Sequence, residues 1–359
     1  AESEAFAKVK TAADWEKFRD SRLAALKRML GAGAFPGGAA GEVKHHVGKT
    51  LQGDGFKVHN VVIEQRPGQP VTANLYLPDP PAKRPGPGVL IISSHHNPKG
   101  QGELQDMGMT WARSGAVVLV ADNPGYGERK QQRFGGREDY RWRYHMGKQL
   151  YVVSETLIGW IVADHRRGLD LLCSLKEVDP KRIILIGSVA GGGDPSAVLA
   201  ALDPRVTCSI PFNFGSTGTP KPTEADPKPV PNHMGGGYWE GTRCLRGTGP
   251  GGYAPWMIVA AAAPRCTIFA KEFKWARDDD QGYARIARVF DLYGAGDKLG
   301  SLYGYGGVTQ SSKVASHCNN VGPHHRKQIY PLLAKWLKMP VPTEYRKRFE
   351  RAELYGLTP

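Results

Sequence analysis

Several things are scarce in this chain of 359 residues. No apolar run approaches the ~18 residues that a membrane-crossing helix needs, so no membrane partner is expected. Cysteines are few and odd in number (Cys173, Cys208, Cys244, Cys266, Cys318), with no C-x-x-C spacing, which argues against a zinc site. They allow one disulfide, whose partners the sequence does not name. There is no internal repeat. No nucleic-acid recognition motif and no basic stripe interleaved with aromatics is present, so nucleic acid is not an expected partner. Negative charge is also short. Asp and Glu total 34 against 48 Lys and Arg, a net charge of +14. That balance gives a basic surface, and it would attract acidic polymers such as uronic-acid polysaccharides. The first residue is Ala1 rather than methionine, which fits a mature secreted protein or a trimmed chain.

What is present has the composition of a soluble globular protein, 40% hydrophobic and 23% charged. The length exceeds the usual single core, yet suits one large α/β domain with insertions. Residues 1–56 read as a largely helical leader packed on the core, polar at first and closing in Gly31-Ala32-Gly33 and Pro36-Gly37-Gly38. The domain proper is placed at 57–359. Residues 57–64 and 71–78 alternate as strands across a Pro/Gly turn, a hairpin. Val89 to Ser94 is an apolar run of buried-strand type. Helical and strand signals then alternate: helix at 104–114, strand at 116–121, helix at 155–175, strand at 182–186, helix at 195–202, strand at 206–212. This alternation predicts a mostly parallel sheet with helices on both faces. Two long irregular insertions, near 126–150 and 215–255, are rich in Gly, Trp, Tyr, Arg and Pro. Loops of that length in a compact domain tend to be functional or mobile.

The chemistry centres on one stretch. The strand ending at Ile186 runs into Gly187-Ser188-Val189-Ala190-Gly191-Gly192-Gly193 and then a helix. That is the setting of the nucleophile elbow of α/β-hydrolases, where G-x-S-x-G lifts a serine above the sheet. The serine is missing. With Gly187 and Gly191 as the small flanking residues the nucleophile position is Val189. With Ser188 and Gly192 it is Ala190. Neither side chain can attack a carbonyl.

Triad order in that fold is nucleophile, acid, histidine. His317, in Ser316-His317-Cys318-Asn319-Asn320 ahead of the last helix, sits where the general base belongs, while His324 and His325 are expected to cap that helix or line the rim. The acid should lie at or beyond the end of the strand read at Cys266–Phe273. Glu272 is the first candidate and Asp278 the second, though the Asp278-Asp279-Asp280 run also suits a helix N-terminus. An oxyanion hole would take the N–H of Gly191 and a donor from the His95-His96-Asn97 loop. Candidate substrate contacts lie on the insertions: Arg141, Trp142 and His145 on one, Trp239, Glu240 and Arg243 on the other. Trp faces stack on sugar rings and Arg holds carboxylates bidentately. Equally, both Trp residues could form the cores of the insertions.

With these residues placed, the chain resembles the acetyl-xylan-esterase-like group of bacterial carbohydrate esterases within the α/β-hydrolases. The resemblance spans about 57–338. It rests on His95-His96-Asn97, Pro124-Gly125-Tyr126-Gly127-Glu128, the elbow, Leu202-Asp203-Pro204-Arg205-Val206, Pro211-Phe212-Asn213-Phe214-Gly215, and His317-Cys318-Asn319-Asn320 with Arg326 and Tyr330. It implies an α/β-hydrolase fold with insertions over the active-site face, a secreted or periplasmic location, and hydrolysis of an acetyl or uronate ester of a polysaccharide. It also implies a register, because the interval from position 190 to Val206 matches that from serine to valine in the group. Ala190 is then the nucleophile position, by an engineered Ser→Ala change or natively. The implied mechanism calls for no metal or organic cofactor. The rival readings are a catalytically dead carbohydrate-binding homologue and a non-esterase enzyme acting on glycosides through histidine and carboxylate groups.

Overall fold

The computed structural model describes residues 2–35, 42–93, 98–130, 138–187, 189–216, 245, 247–304 and 321–357, with backbone alone for 138–141 and 189–190. The chain opens with helices α1 (Glu2–Ala7) and α2 (Ala12–Leu30). Thr11 starts α2: its hydroxyl accepts the Asp14 N–H at 3.1 Å and the Asp14 carboxylate accepts the Thr11 N–H at 3.0 Å. This reciprocal cap satisfies two amides that the helix itself leaves open. Phe6, Trp15 and Phe18 then close over Trp256, with the Phe6 and Trp256 rings 4.6 Å apart, so the helical leader shares the main core.

Nine strands follow among the described residues: β1 (His45–Gln52), β2 (Phe56–Arg66), β3 (Gln69–Pro78), β4 (Gly86–Ile92), β5 (Val117–Ala121), β6 (Val178–Gly187), β7 (Cys208–Pro211), β8 (Cys266–Lys271) and β9 (Leu299–Tyr303). They form one sheet in the order β1-β2-β3-β5-β4-β6-β7-β8-β9. The first three pair antiparallel, and β3 joins β5 antiparallel. Every pairing from β5 through β4, β6, β7 and β8 to β9 is parallel. The sheet begins at His45, inside the stretch assigned from sequence to the leader. β1 is an edge strand with almost every residue exposed, so it carries no hydrophobic alternation from which to be recognised.

The connecting helices are α3 (Gly102–Arg113), α4 (Glu138–Val152), α5 (Leu157–Ser174), α6 (Val189–Leu202), α7 (Pro255–Ala260), α8 (Gln281–Leu292) and α9 (Pro323–Leu337). Side chains alternate along a strand, and β4 shows what this does. Leu90 and Ile92 join Ile158 and Val162 of α5, Val198 of α6 and Phe290 of α8 on one face. Val89 and Ile91 join Trp111 of α3 and Leu333 of α9 on the other. The parallel strands are therefore buried on both sides, which is why β4 is apolar at nearly every position.

Two helices also depart from the sequence expectation. The insertion near 126–150, expected to be irregular, contains α4. Helix α6 starts at Val189 rather than Pro195. In a regular helix Pro195 would break the bond to the Gly191 carbonyl, but Gly191 has a φ of 100° and already interrupts the ladder there.

Residues 339–357 cross the outside of α3 and the β2–β3 hairpin with little regular structure. Arg348 binds Asp106 through two bonds of 2.8 Å, and the buried Arg326 binds Glu344. The amides of Asn60 and Asn74 donate to the carbonyls of Glu353, Leu354 and Tyr355 at 2.8–2.9 Å. No periodicity announces this strap. It is held largely by ion pairs and by hydrogen bonds to its backbone carbonyls, which leave no trace in the hydropathy pattern, with Tyr345 and Phe349 against Phe56.

Candidate active site

The C-terminal ends of β5, β4, β6, β7 and β8 form one rim, the edge on which open parallel sheets carry their ligands. At its centre β6 turns into α6. A methyl group on Gly187 would come within 2.2 Å of the Gly192 carbonyl oxygen. One on Gly192 would come within 2.4 Å of the Ile92 carbonyl, and one on Gly193 within 1.8 Å of the Phe212 carbonyl. The first turn of α6 is thus wedged between β4 and β7 with no room for side chains, and the glycine run is a steric requirement. Val189 and Ala190 open the helix. Gly191, the residue assigned to the oxyanion hole, follows in the left-handed region.

Glu272 directly follows β8 and is 2% exposed. It is clasped. Asn213, at the end of β7, donates its amide to Glu272 Oε2 at 2.9 Å and accepts the Glu272 N–H on Oδ1 at 2.8 Å. Asn213 adopts a φ of 58°, a left-handed conformation that Asn tolerates better than most residues. His325 donates from Nε2 to the Glu272 carbonyl at 3.0 Å. Carboxylate, backbone N–H and backbone carbonyl of one residue are thereby fixed together. Asp278, the other candidate, lies in a short 3₁₀ turn, is 88% exposed and pairs with Arg277.

His325 was expected to cap the last helix or line the rim. It is instead wholly buried, edge-on to the Phe212 ring. Burial holds its imidazole down to about 4, against a weaker opposing pull from the Glu272 carbonyl. Its Nε2 proton is committed to that carbonyl, and Nδ1 faces no hydrogen-bond partner among the described residues. His324 is half-buried and bonded to Gln328. His317 lies outside the described residues, as do His95, His96, Asn97, Trp239, Glu240 and Arg243. Arg141 is described in backbone only.

The residues flanking the His95–Asn97 loop are described, and both ends are anchored. On one side, Asn123 donates its amide to the Ser93 carbonyl at 2.9 Å while His165 Nε2 donates to Asn123 Oδ1 at 2.8 Å. On the other, the Lys99 N–H donates to Asp122 Oδ1 at 2.7 Å, and the buried Lys99 ammonium reaches Glu128 and the Leu354 carbonyl. Burial holds His165 down to about 4 as well, and it pushes the Asp122 carboxyl up. Asn123, His165 and Asn213 carried no functional assignment from sequence. Their signal was weak: one polar residue each on a strand end or an amphipathic helix, meaningful only once the strands are aligned.

Trp142 packs with Leu150, Leu157 and Ile161 and lies across Gly125, whose added methyl would sit 2.4 Å from the ring. It is mainly the core of its insertion. One edge also borders a cavity of about 200 Å³ with Pro124, Arg129 and Lys130. His145 stands edge-on to Tyr144 on the same helix.

A mostly parallel sheet in this strand order, a glycine-wedged strand–turn–helix at its middle and a buried carboxylate after β8 give the α/β-hydrolase fold. Residues 44–214 match the family described as Acetyl xylan esterase (AXE1). Among solved structures the chain is similar to Methylesterase BT1017, with a TM-score of 0.69 and 20% identity over 99% of this chain and 71% of that one. It is also similar to a glucuronoyl esterase from Solibacter usitatus, with a TM-score of 0.59 and 17% identity over 91% of this chain and 94% of that one. No curated protein sequence matches it. The chain has the α/β-hydrolase fold, and within it residues 44–214 carry the acetyl-xylan-esterase similarity.

Proposed function

We propose that the chain binds an acetyl or uronate ester of a polysaccharide on this rim, and that Ala190 occupies the position of the attacking nucleophile. The observation that carries this is the wedge at Gly187, Gly192 and Gly193, which stations position 190 at the mouth of the parallel sheet. In an active form a serine at that position attacks the ester carbonyl and His317 takes its proton. Glu272 orients the imidazole, and the N–H of Gly191 with the His95–Asn97 loop receives the oxyanion. The clasp of Asn213 and His325 on Glu272 supports its role, since an orienting carboxylate must be immobile. This mechanism calls for no metal and no organic cofactor. The net charge of +14 supports an acidic polysaccharide as partner, and a secreted or periplasmic location fits such a substrate. The similarity to a methylesterase and a glucuronoyl esterase makes uronate esters the first substrates to try.

The test is ester hydrolysis by the unmodified chain and by Ala190→Ser, on p-nitrophenyl acetate and a methyl uronate. A gain of ~10³ or more on Ala190→Ser is expected, the scale on which nucleophilic catalysis adds to residual binding. No gain on either ester, in a folded variant, would remove the elbow from the mechanism.

A further inference from the structure

A hydroxyl lies elsewhere on the same rim and is held by a lysine. β7 leads through Phe212 and Asn213 to Gly215 and Ser216. Gly215 has a φ of 112°, and a methyl group on it would sit 2.6 Å from the Phe269 ring. Only glycine makes this turn without strain. The turn carries the half-buried Ser216 over the end of β8. There the Lys271 ammonium donates to Ser216 Oγ, and Ser216 donates to Asp280 Oδ2 at 2.5 Å. Trp275 Nε1 donates to the same oxygen at 3.0 Å. Asp280 Oδ1 caps α8 through the N–H groups of Gly282 and Tyr283. Successive residues of a strand face opposite ways, so Glu272 serves one side of the rim and Lys271 the other. Phe212, on whose carbonyl the elbow glycine Gly193 rests, is four residues before Ser216. Neighbouring strands lie about 4.8 Å apart, and β8 is the second strand from β6, so this hydroxyl lies about two strand spacings, roughly 10 Å, from the elbow.

We infer that Ser216 and Lys271 form a second nucleophile–base pair, able to take the acyl group of an ester that reaches this rim. Burial pulls the Lys271 ammonium down to about 8, with Asp280 opposing, so the amine needed as base is accessible in mildly alkaline solution. With Lys271 as the neutral amine, the Ser216 hydroxyl turns its proton from Asp280 to Nζ, and the amine takes that proton as Oγ bonds to the ester carbonyl carbon. The tetrahedral adduct collapses, the bond from that carbon to the alcohol oxygen breaks, and the Lys271 ammonium returns the proton to the leaving alkoxide. Water then hydrolyses the acyl-serine by the same exchange. Lysine bases of this type are known for activated nucleophiles. Asp280 holds the hydroxyl in reach of the amine and, being occupied by two backbone amides and an indole, is a positioning residue. The inference rests on the reading that the rim receives an ester, but it uses a different atom.

The test is covalent labelling with a fluorophosphonate, read by peptide mass spectrometry. The unmodified chain should carry the adduct on Ser216. Lys271→Met should slow labelling by about a hundred-fold or more, the usual worth of a general base, with its melting temperature checked for folding. Ser216→Ala should abolish it. The Ala190→Ser chain, run in parallel, separates the two readings. An adduct at position 190 with none on Ser216 would leave the elbow reading standing and overturn this one. An adduct on Ser216 with none at position 190 would do the reverse. An adduct on Ser216 that forms equally fast in folded Lys271→Met would also overturn the pair.

Discussion

Acid should unfold this protein through two buried histidines. His165 and His325 are 1% and 0% exposed. Each donates from Nε2, so an added proton would go to Nδ1, which has no hydrogen-bond partner among the described residues. Burial holds both near 4, below the ordinary 6.5. Above pH 6.5 both states are neutral at these sites and nothing is lost. Between 6.5 and about 4 the unfolded chain binds a proton at each site that the folded chain refuses, so stability falls as pH falls. The slope is about 1.4 kcal/mol per pH unit per histidine, and it flattens below 4. Across the window each site removes about 3 kcal/mol, a large part of the 5–15 kcal/mol typical of a domain. Urea unfolding followed by tryptophan fluorescence at pH 7.5, 6.5, 5.5 and 4.5 measures the slope. His165→Gln and His325→Gln keep a donor for Asn123 and for the Glu272 carbonyl but cannot titrate. Each should flatten the curve by about one proton's worth. A wild-type stability that is level from pH 6.5 to 4.5, or variants with an unchanged slope, would refute the reasoning.

Two further outcomes follow from packing. Gly193→Ala puts a methyl group 1.8 Å from the Phe212 carbonyl oxygen, so backbone must move at the elbow. A loss of about 1–3 kcal/mol is expected, whereas Gly249→Ala, in the short helix Thr248–Gly251 with open space around it, should leave the melting temperature unchanged or slightly raised, since alanine favours a helix over glycine. Arg326→Ala strips the partner from Glu344 and a neighbour from the buried Asp106. It should cost about 3–5 kcal/mol, as removing one side of a buried ion pair does. Chemical denaturation would show this, and protease cleavage within 339–357 should rise as the strap lifts.

The sequence by itself determined the strands from β2 to β8, because the inner ones, buried on both faces, must be apolar throughout and the helices between them amphipathic. It also determined the glycine-rich turn after β6 and the absence of a hydroxyl at positions 189 and 190. The position of Glu272 at the end of a strand was legible because it is a matter of chain order. Only the tertiary structure decided what holds it. Asn213 and His325 reach Glu272 from 59 and 53 residues away, and no local pattern encodes contacts that exist only after β7, β8 and α9 are side by side. The same holds for His165 beneath Asn123, for the edge strand β1 and for the strap along α3. Lys271 and Ser216, 55 residues apart, are one more case: an ordinary lysine and an ordinary serine in the sequence, made a pair by the parallel alignment of two strand ends.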